Sequence, residues 1–194
     1  MQIIFASSNA GKIAELQALF ADSSHEFIAT NNPKLPAIEV AETGSTFSEN
    51  ALLKAQAYAE KYQLPTLADD SGLEVVTLNN EPGVASNRWF EGTDEQRNQA
   101  LLNRLQNATS RAARFITVAC LFFPETSDQH YFEGAITGTI SPAPSGTSGF
   151  GYDPLFIPEG HSHSFAELGP AVKNRLSHRA QAFTLVKQFL ETHD

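Results

Sequence analysis

Residues 2–16 read QIIFASSNAGKIAEL, a stretch that joins a short apolar run to a polar turn and then to a helical pattern. The apolar run at residues 2–6 predicts a buried strand. After the turn, Ile13, Leu16 and Leu19 recur at the spacing of one helix face, which predicts a helix. A strand that passes through a tight turn into a helix is typical of α/β proteins, so the stretch indicates that class.

A second β-rich region indicates a mixed sheet. Residues 113–123 (ARFITVACLFF) and 130–140 (HYFEGAITGTI) are rich in β-branched and aromatic residues, and the polar segment PETSDQ joins them. Such a pair of runs predicts an antiparallel hairpin. Together with the strand-turn-helix start, it predicts an α/β fold with a mixed central β-sheet flanked by helices. Because the chain of 194 residues has no linker-like break, residues 1–194 are expected to form a single domain.

Capping signals predict further helices. In TFSENALLKAQAYAEKY, Thr46 and Glu49 stand in capping-box positions ahead of an apolar stripe. Thr93 and Gln96 repeat this pattern at the start of another helix. The last helix is expected to begin at Ser177 as its N-cap. Its inward-facing residues are expected to be Ala182, Leu185, Phe189 and Leu190.

The middle of the chain predicts strands and loops. Residues 64–68 (LPTLA) and 73–78 (LEVVTL) are predicted as two strands on either side of an aspartate pair. Residues 30–45 and 141–154 are rich in Pro, Gly, Ser and Thr, which predicts long loops. Loops of that length in a compact protein are often functional.

The composition excludes several classes of function. A net charge of −9 and a pI near 5.1 argue against nucleic-acid binding, because binding to the phosphate backbone needs clustered Lys and Arg. Neither a long apolar run nor a signal-peptide pattern occurs, so we expect no membrane insertion and no secretion. Cys120 is the only cysteine, which excludes an intramolecular disulfide and suits a reducing cytoplasm.

The turn at residues 5–12, FASSNAGK, is a candidate anion site. Backbone N–H groups at a helix N-terminus favour anions, and Lys12 adds a positive charge beside them. The spacing matches neither the Walker A motif nor the Rossmann glycine motif. The residues alone leave open whether this turn binds phosphate or only caps the helix.

Two adjacent aspartates follow an apolar run in LADDSGL, residues 67–73. If the strand persists, Asp69 and Asp70 point to opposite sides of the sheet, so one can serve structure while the other reaches a ligand. A carboxylate here can hold Mg²⁺ or accept a proton from water. Asp-Asp-Ser-Gly is also typical of a turn, and the residues alone do not decide between turn and catalysis.

Two later segments are candidate ligand contacts. SGFGYDP, residues 148–154, sets glycines around an aromatic ring that can stack on a flat ligand; the alternative is an ordinary loop with a buried aromatic side chain. KNRLSHR, residues 173–179, gathers basic side chains at the start of the last helix. Cations are unfavourable at a helix N-terminus, which suggests a compensating anion or carbonyl, although a solvated basic face remains the alternative.

Six segments, in order, resemble the inosine triphosphate pyrophosphatase (Ham1-like) family of noncanonical purine NTP pyrophosphatases. FASSNAGKIAEL is similar to the family's T-G-N-x-G-K-x-x-E-L, ETGSTFSENALLKA to E-T-G-x-T-F-x-E-N-A-x-x-K-A, and LADDSGLEV to A-D-D-S-G-L. EPGVASNRW resembles P-G-[IV]-x-S-A-R-[YFW], SGFGYDPLF matches G-F-G-Y-D-P-x-F, and KNRLSHRAQA resembles K-x-x-x-S-H-R-x-x-A. The resemblance covers about residues 3–182, nearly the whole chain.

The resemblance implies Mg²⁺-dependent hydrolysis of ITP, dITP and XTP to the monophosphate and pyrophosphate, which removes deaminated purines from the nucleotide pool. It implies a cytoplasmic homodimer with two lobes around an active-site cleft. Asp70 is expected to accept the proton of the attacking water and to contact the metal. Phosphate contacts are expected from Ser7, Asn9, Lys12, Lys54 and Lys173, with Ser8, Ala10 and Gly11 of the same turn also binding substrate. The nucleobase pocket is expected to contain Ser71, Phe150, Gly151, Tyr152, Asp153, His178 and Arg179.

Base selection has a physical explanation in such a pocket. Donors aimed at a 6-keto oxygen are left unpaired when adenine presents an amine, at a cost of about 1–3 kcal/mol per buried group. His178, Arg179 and backbone N–H groups near Ser71 are the expected donors.

Two positions depart from the family pattern. Ser7 and Ser8 replace Thr-Gly, which leaves less freedom for a positive φ at position 8. Ala41 stands where many members carry a glutamate, so Glu42 is the expected second metal ligand.

Two other functions are alternatives. A Maf-like pyrophosphatase for pyrimidine or modified nucleotides is the enzymatic one, but it should lack SGFGYDP and SHR together. A nucleotide-binding sensor without turnover is the other, and it should bind ITP without forming a Mg²⁺-dependent product.

Overall fold

The structure is a computed structural model, and it describes residues 1–30, 32, 35 and 38–193. The strands are β1 (Gln2–Phe5), β2 (Glu26–Ala29), β3 (Thr66–Val75), β4 (Ala112–Phe123), β5 (Asp128–Ile140) and β6 (Phe156–Pro158). The α-helices are α1 (Ala10–Leu19), α2 (Phe47–Tyr62), α3 (Asp94–Arg104), α4 (Phe165–Leu176) and α5 (His178–Thr192).

The strands form one mixed sheet in the order β2-β1-β3-β4-β5-β6. β1 pairs in parallel with both β2 and β3, whereas β5 and β6 are antiparallel. The Ile140 N–H donates to the Arg111 carbonyl over 2.9 Å, so the end of β5 lies beside the start of β4, as an antiparallel hairpin requires. The predicted α/β class with a mixed sheet is confirmed.

The chain divides into two compact units. Unit 1 contains Met1–Asp70, Thr117–Gly134 and Ala180–Asp194, and unit 2 contains Ser71–Ile116 and Ala135–Arg179. Each unit has its own apolar core. The prediction of a single domain over residues 1–194 stays a prediction.

Helices cover both faces of the sheet in unit 1. Ile3 and Phe5 of β1 pack on α1 and α5, where Phe183 is a fully buried contact. Ile4, which lies between them, packs instead with Ala51 of α2. This alternation follows from the two-residue period of a strand. Burying each large apolar side chain on either face stabilises the unit by about 1.5–3 kcal/mol.

The core of unit 2 is aromatic. The Phe115 and Phe156 rings of β4 and β6 lie 4.5 Å apart between centroids, and Phe165 of α4 stacks on Phe156 at 5.6 Å. Leu73 of β3 and Leu101 of α3 complete the cluster and are fully buried. This core therefore joins three strands to two helices.

Both predicted capping boxes are present. Thr46 accepts from the Glu49 N–H at the start of α2, and the Glu49 side chain accepts from the Thr46 N–H. Thr93 and Gln96 make the same reciprocal pair at α3. α5 begins directly after Ser177, as predicted.

Three predictions about the elements need correction. β3 is one continuous strand through the aspartate pair, not two strands around a turn, and residues 76–78 of the second predicted strand form a 3-10 helix. Leu185 does not face inward: it is 43% exposed, and Phe183 and Val186 are buried in its place. α4 was not predicted, because Gly169, with φ of 78°, and Pro170 interrupt its helical pattern.

The predicted loops differ in how much of them the structure describes. Residues 141–155 contain turns and bends without helix or strand. Of the predicted loop at residues 30–45, positions 31, 33, 34, 36 and 37 lie outside the described residues, and residues 38–44 carry no regular element. No helix in the described part of the chain has the length and apolar character needed to cross a bilayer.

Candidate active site

In unit 1, the turn between β1 and α1 caps the helix with a side chain. The Asn9 carboxamide oxygen accepts from the Lys12 N–H over 3.0 Å, and the Ser7 hydroxyl accepts from the Asn9 N–H over 3.3 Å. Ser8 is exposed, and it is not among the described non-glycine residues with positive φ. The replacement of glycine by Ser8 therefore causes no backbone strain.

Lys12 is held against the first aspartate. Its Nζ lies 2.8 Å from Asp69 Oδ2 and donates to the Asp69 carbonyl over 3.4 Å. The Asp69 side chain is fully buried and the Lys12 side chain is 10% exposed, so this ion pair is shielded from solvent. A shielded pair of this kind fixes the ammonium beside the turn at a defined position.

The second aspartate has different partners. Asp70 Oδ2 accepts from Asn50 Nδ2 over 3.1 Å, and Asp70 Oδ1 lies 3.6 Å from Lys54 Nζ. Lys54 Nζ also lies 2.7 Å from Glu42 Oε1. Asp70 and Glu42 therefore share one cation, while Asp69 lies on the other face of β3 by the alternation of a strand.

Asn50 was not predicted as a site residue, although it lies one helical turn before Lys54 on the same face of α2. Its carboxamide oxygen accepts from the Gly44 N–H over 2.8 Å, so its amide group must donate to Asp70. A Cβ on Gly44 would lie 2.7 Å from that same oxygen, which leaves no room for a side chain. The (i, i+4) spacing of a buried amide and a lysine is the signal that could have identified Asn50.

Burial and neighbouring charges together set the pKa values of Asp70 and Lys54. Burial raises the pKa of Asp70 above its ordinary value of 3.8, and the opposing charges of Lys54 and Lys12 offset that effect only in part. Burial lowers the pKa of Lys54, but nearby carboxylates outweigh it, so this pKa lies above 10.5. Those carboxylates belong to Asp70, Asp69 and Glu42. Lys54 therefore stays protonated, and Asp70 is a stronger base than an exposed aspartate.

In unit 2, Asp153 organises the loop that follows β5. One of its oxygens accepts from the Phe150 N–H over 2.9 Å and lies 2.5 Å from Lys173 Nζ. A Cβ on Gly149 would lie 2.1 Å from the same oxygen, and Gly149 has φ of 81°, so only glycine fits there. Asp153 thus fixes both the loop backbone and a buried lysine.

Phe150 presents its ring to two cations. Lys173 Nζ lies 4.3 Å and Arg179 Cζ 5.7 Å from the ring centroid, both within the range of cation–π attraction. Arg179 also donates to the Ser71 hydroxyl over 3.0 Å. An aromatic face with donors beside it is suited to a flat polar ring.

The other two predicted pocket residues are more deeply packed. Tyr152 is 5% exposed and donates to the Ser86 carbonyl over 3.1 Å, and burial raises its pKa. His178 stacks on Phe115 with ring centroids 4.6 Å apart. Of the two aromatic rings in GFGYDP, the half-buried Phe150 is therefore the better candidate for stacking.

Comparison with known proteins identifies the family. The sequence profile of the Ham1 family matches residues 3–189 of this chain. The chain belongs to the Ham1 family. A curated Streptomyces coelicolor relative named dITP/XTP pyrophosphatase is 44% identical over 189 residues, which cover 94% of this chain and 93% of the relative. A Deinococcus radiodurans relative of the same name is 43% identical and covers 93% of this chain and 88% of its own.

Solved structures agree with the Ham1 assignment. The Ham1 protein of Staphylococcus aureus matches with a TM-score of 0.88 at 39% identity, and the match covers 100% of both chains. A HAM1 protein from Coxiella burnetii matches with a TM-score of 0.89 at 41% identity over 99% of both chains. The resemblance seen in the sequence motifs is confirmed.

The Ham1 fold collects the predicted residues into two groups, one in each unit. The phosphate-lysine group of unit 1 contains Ser7, Ser8, Asn9, Ala10, Gly11, Lys12, Glu42, Lys54 and Asp70. The aromatic-cation group of unit 2 contains Ser71, Phe150, Gly151, Tyr152, Asp153, Lys173, His178 and Arg179. Lys173, a predicted phosphate contact, lies 2.5 Å from Asp153 Oδ2 and 4.3 Å from the Phe150 ring centroid. The roles of these residues stay predictions.

Proposed function

We propose that this chain hydrolyses dITP, XTP and ITP to the nucleoside monophosphate and pyrophosphate. The observation that carries the proposal is the name dITP/XTP pyrophosphatase on curated relatives that share up to 44% identity over nearly the full length of the chain. In this reaction water attacks the α-phosphorus, the bond to the β-phosphate oxygen breaks, and pyrophosphate leaves. The Ham1 match leaves the Maf-like alternative without a supporting observation.

Asp70 is the proposed proton acceptor for the attacking water. Hydrolysis of a phosphoanhydride depends mainly on positioning and on electrostatic stabilisation, with one group to orient the water. Asn50 holds one Asp70 oxygen at 3.1 Å, which leaves the carboxylate in a fixed orientation. Because burial raises the pKa of Asp70, its carboxylate takes a proton more readily than an exposed aspartate does.

Lys12 and Lys54 are the proposed phosphate contacts. Both ammonium groups are shielded, with side chains 10% and 14% exposed, so their attraction for an anion is weakly screened by water. The N-terminus of α1, capped by Asn9, adds backbone N–H donors to the same end of the unit. These positive groups offset the repulsion between a polyphosphate and a protein of net charge −9.

We propose Mg²⁺ as the cofactor, with Asp70 and Glu42 as its protein ligands. Mg²⁺ is usually held by one or two carboxylates together with substrate phosphates, so two ligands are enough. The pair fits because both carboxylates already share a cation, the Lys54 ammonium, at 3.6 and 2.7 Å. When bound, Mg²⁺ neutralises developing negative charge on the phosphates.

The aromatic-cation group is the proposed nucleobase pocket. Phe150 supplies a stacking face, and Arg179, fixed by the Ser71 hydroxyl, supplies donors for a 6-keto oxygen. Adenine, with an amine at that position, leaves such donors unpaired. We further propose that the enzyme is a homodimer and acts in the cytoplasm, where its single cysteine, Cys120, stays buried and reduced.

The experiment that tests the proposal is a nucleotide panel with identified products. Incubation with Mg²⁺ and ITP, dITP or XTP should release pyrophosphate and the monophosphate, while ATP and GTP should react far more slowly. Release of orthophosphate and the diphosphate would show cleavage at the wrong bond. Binding of ITP with no product would instead support the sensor alternative.

A further inference from the structure

Two side chains of helix α3 bind the backbone N–H and the backbone carbonyl of Gly151. Asp94 Oδ2 accepts from the Gly151 N–H over 2.7 Å, and Asn98 Nδ2 donates to the Gly151 carbonyl over 3.0 Å. Asp94 and Asn98 are four residues apart and lie on one face of the helix. The two side chains therefore bind the two peptide groups on either side of the Gly151 Cα, one through its N–H and the other through its carbonyl.

The backbone of Gly151 needs such support. Its φ is 60°, in the left-handed region, and a Cβ built on it would meet no atom within 4 Å. Glycine is therefore present for its backbone conformation and not for lack of space. Because glycine has wide conformational freedom, the directions of the two peptides that flank its Cα depend on the groups that bind them.

Other contacts and burial orient the Asp94 and Asn98 side chains. The second Asp94 oxygen, Oδ1, lies 2.5 Å from Arg97 Nη1, which orients the carboxylate. Asn98 is 3% exposed, and Gly151 is the partner of its amide group. Asp94, through a charge-assisted hydrogen bond, and Asn98, through a buried amide, together form what we call the Gly151 clamp.

We propose that Asp94 and Asn98 are positioning residues for nucleobase selection, which act by holding Gly151 and hence the neighbouring Phe150 ring. This proposal rests on the proposed function, because it deepens the account of the same base pocket. Tyr152, after Gly151, is anchored in the core through Ser86, and the Phe150 N–H is bound by Asp153. The segment between these two anchors, which contains the Phe150 carbonyl and Gly151, is therefore the part that the α3 contacts hold. Loss of the clamp moves the stacking face away from its position.

The kinetic consequence differs from that of general destabilisation. Phe150 and its cations contact the base and not the reacting phosphate, so a loosened loop raises KM for ITP more than it lowers kcat. It also lowers the ratio of kcat/KM for ITP to that for ATP, because the discriminating donors lose their geometry. A purely structural role would lower the melting temperature and leave both quantities unchanged.

The test compares substitutions at Asp94 that differ in one property. Both D94N and D94A remove the charge and the ion pair with Arg97, but D94N keeps an oxygen that can accept from the Gly151 N–H. We expect D94A to lower the ratio of kcat/KM for ITP to that for ATP about tenfold, mainly through a higher KM for ITP. The D94N enzyme should keep this ratio within about threefold of wild type. N98D, which sets a carboxylate against the Gly151 carbonyl, should lower the ratio as D94A does.

N103A is the matched control, because Asn103 lies on the same helix and is exposed, and its side-chain oxygen accepts from Gln99 Nε2 over 3.0 Å. It should keep the wild-type ratio. Thermal unfolding checks that each variant is folded. If D94A does not fold, the ratio measured for N98D tests the proposal. Wild-type ratios in folded D94A and N98D overturn the proposal. Failure of the proposed function looks different, since the wild-type chain would then release no pyrophosphate from ITP.

Discussion

Each unit buries a lysine against an aspartate, but the surroundings of the two pairs differ. In unit 1, Lys12 lies 2.8 Å from Asp69, and the other charged contacts nearby are again carboxylates and lysines. In unit 2, Lys173 lies 2.5 Å from Asp153 and also 4.3 Å from the centre of an aromatic ring. The first setting is suited to phosphate and water, and the second to a flat base.

Under the proposed function, this difference separates the residues that affect the rate of hydrolysis from those that select the nucleobase. In the proposed function, the phosphate-lysine group binds the part of a nucleotide that is the same in ITP and ATP, so changes there should affect both substrates alike. The aromatic-cation group is proposed to bind the base, which differs between them, so changes there should alter the ITP to ATP ratio of kcat/KM. The following predictions test this division.

The largest effect is expected for D70N. Removal of the proton acceptor should lower kcat by about 10³-fold for ITP and ATP equally, since general base catalysis contributes about 10²–10⁴-fold. Initial rates of pyrophosphate release measure this. D22N is the control, because Asp22 is an exposed aspartate of the same unit whose partner is Lys187. A D70N enzyme with near-normal turnover would contradict the assignment of the base.

The next effect concerns stability. D69N and D153N each remove the charge from a buried lysine-aspartate pair, and each should lower the free energy of unfolding by about 3 kcal/mol. Urea unfolding measures this loss. Only D153N should also alter the ITP to ATP ratio, because it removes the charge that holds Lys173 Nζ 4.3 Å from the Phe150 ring centroid. If D69N altered that ratio as strongly, the two pairs would not differ in role.

The smallest effect is a pH dependence of stability. The pKa of Asp70 in the folded chain is raised above 3.8, so its stabilising effect is present below the unfolded value and is lost as pH rises through the folded one. D70N lacks this loss. Its free energy of unfolding should therefore rise relative to wild type between acid and neutral pH. Urea unfolding at a series of pH values measures the gap, and a gap that narrows with rising pH would contradict the sign.

Local signals made part of the fold predictable. The capping boxes at Thr46 and Thr93 depend on residues three positions apart, so the sequence alone identifies them. β3 was wrongly divided because Asp-Asp-Ser-Gly is typical of a turn. The strand continues because Lys12 and Asn50, distant in sequence, supply partners for the two buried carboxylates.

Site prediction had the same limit. Motif order predicted roles for Asp70, Lys54 and Arg179, which stay predictions, and it did not show that Lys173 is buried against Asp153. The Gly151 clamp could not be predicted either, because its two hydrogen bonds join residues that are 57 and 53 positions apart in the sequence. Long-range pairing of polar groups follows from the tertiary fold and leaves no local pattern.

The most direct test of the division is the ITP to ATP ratio of kcat/KM measured side by side for Lys54→Ala and Arg179→Ala. Lys54→Ala should lower kcat/KM for both ITP and ATP and leave their ratio within about twofold of wild type, because Lys54 is proposed to bind the phosphates, which both substrates share. Arg179→Ala should lower the ratio about tenfold, since a donor for the 6-keto oxygen is lost. Equal ratios in the two variants would contradict the account.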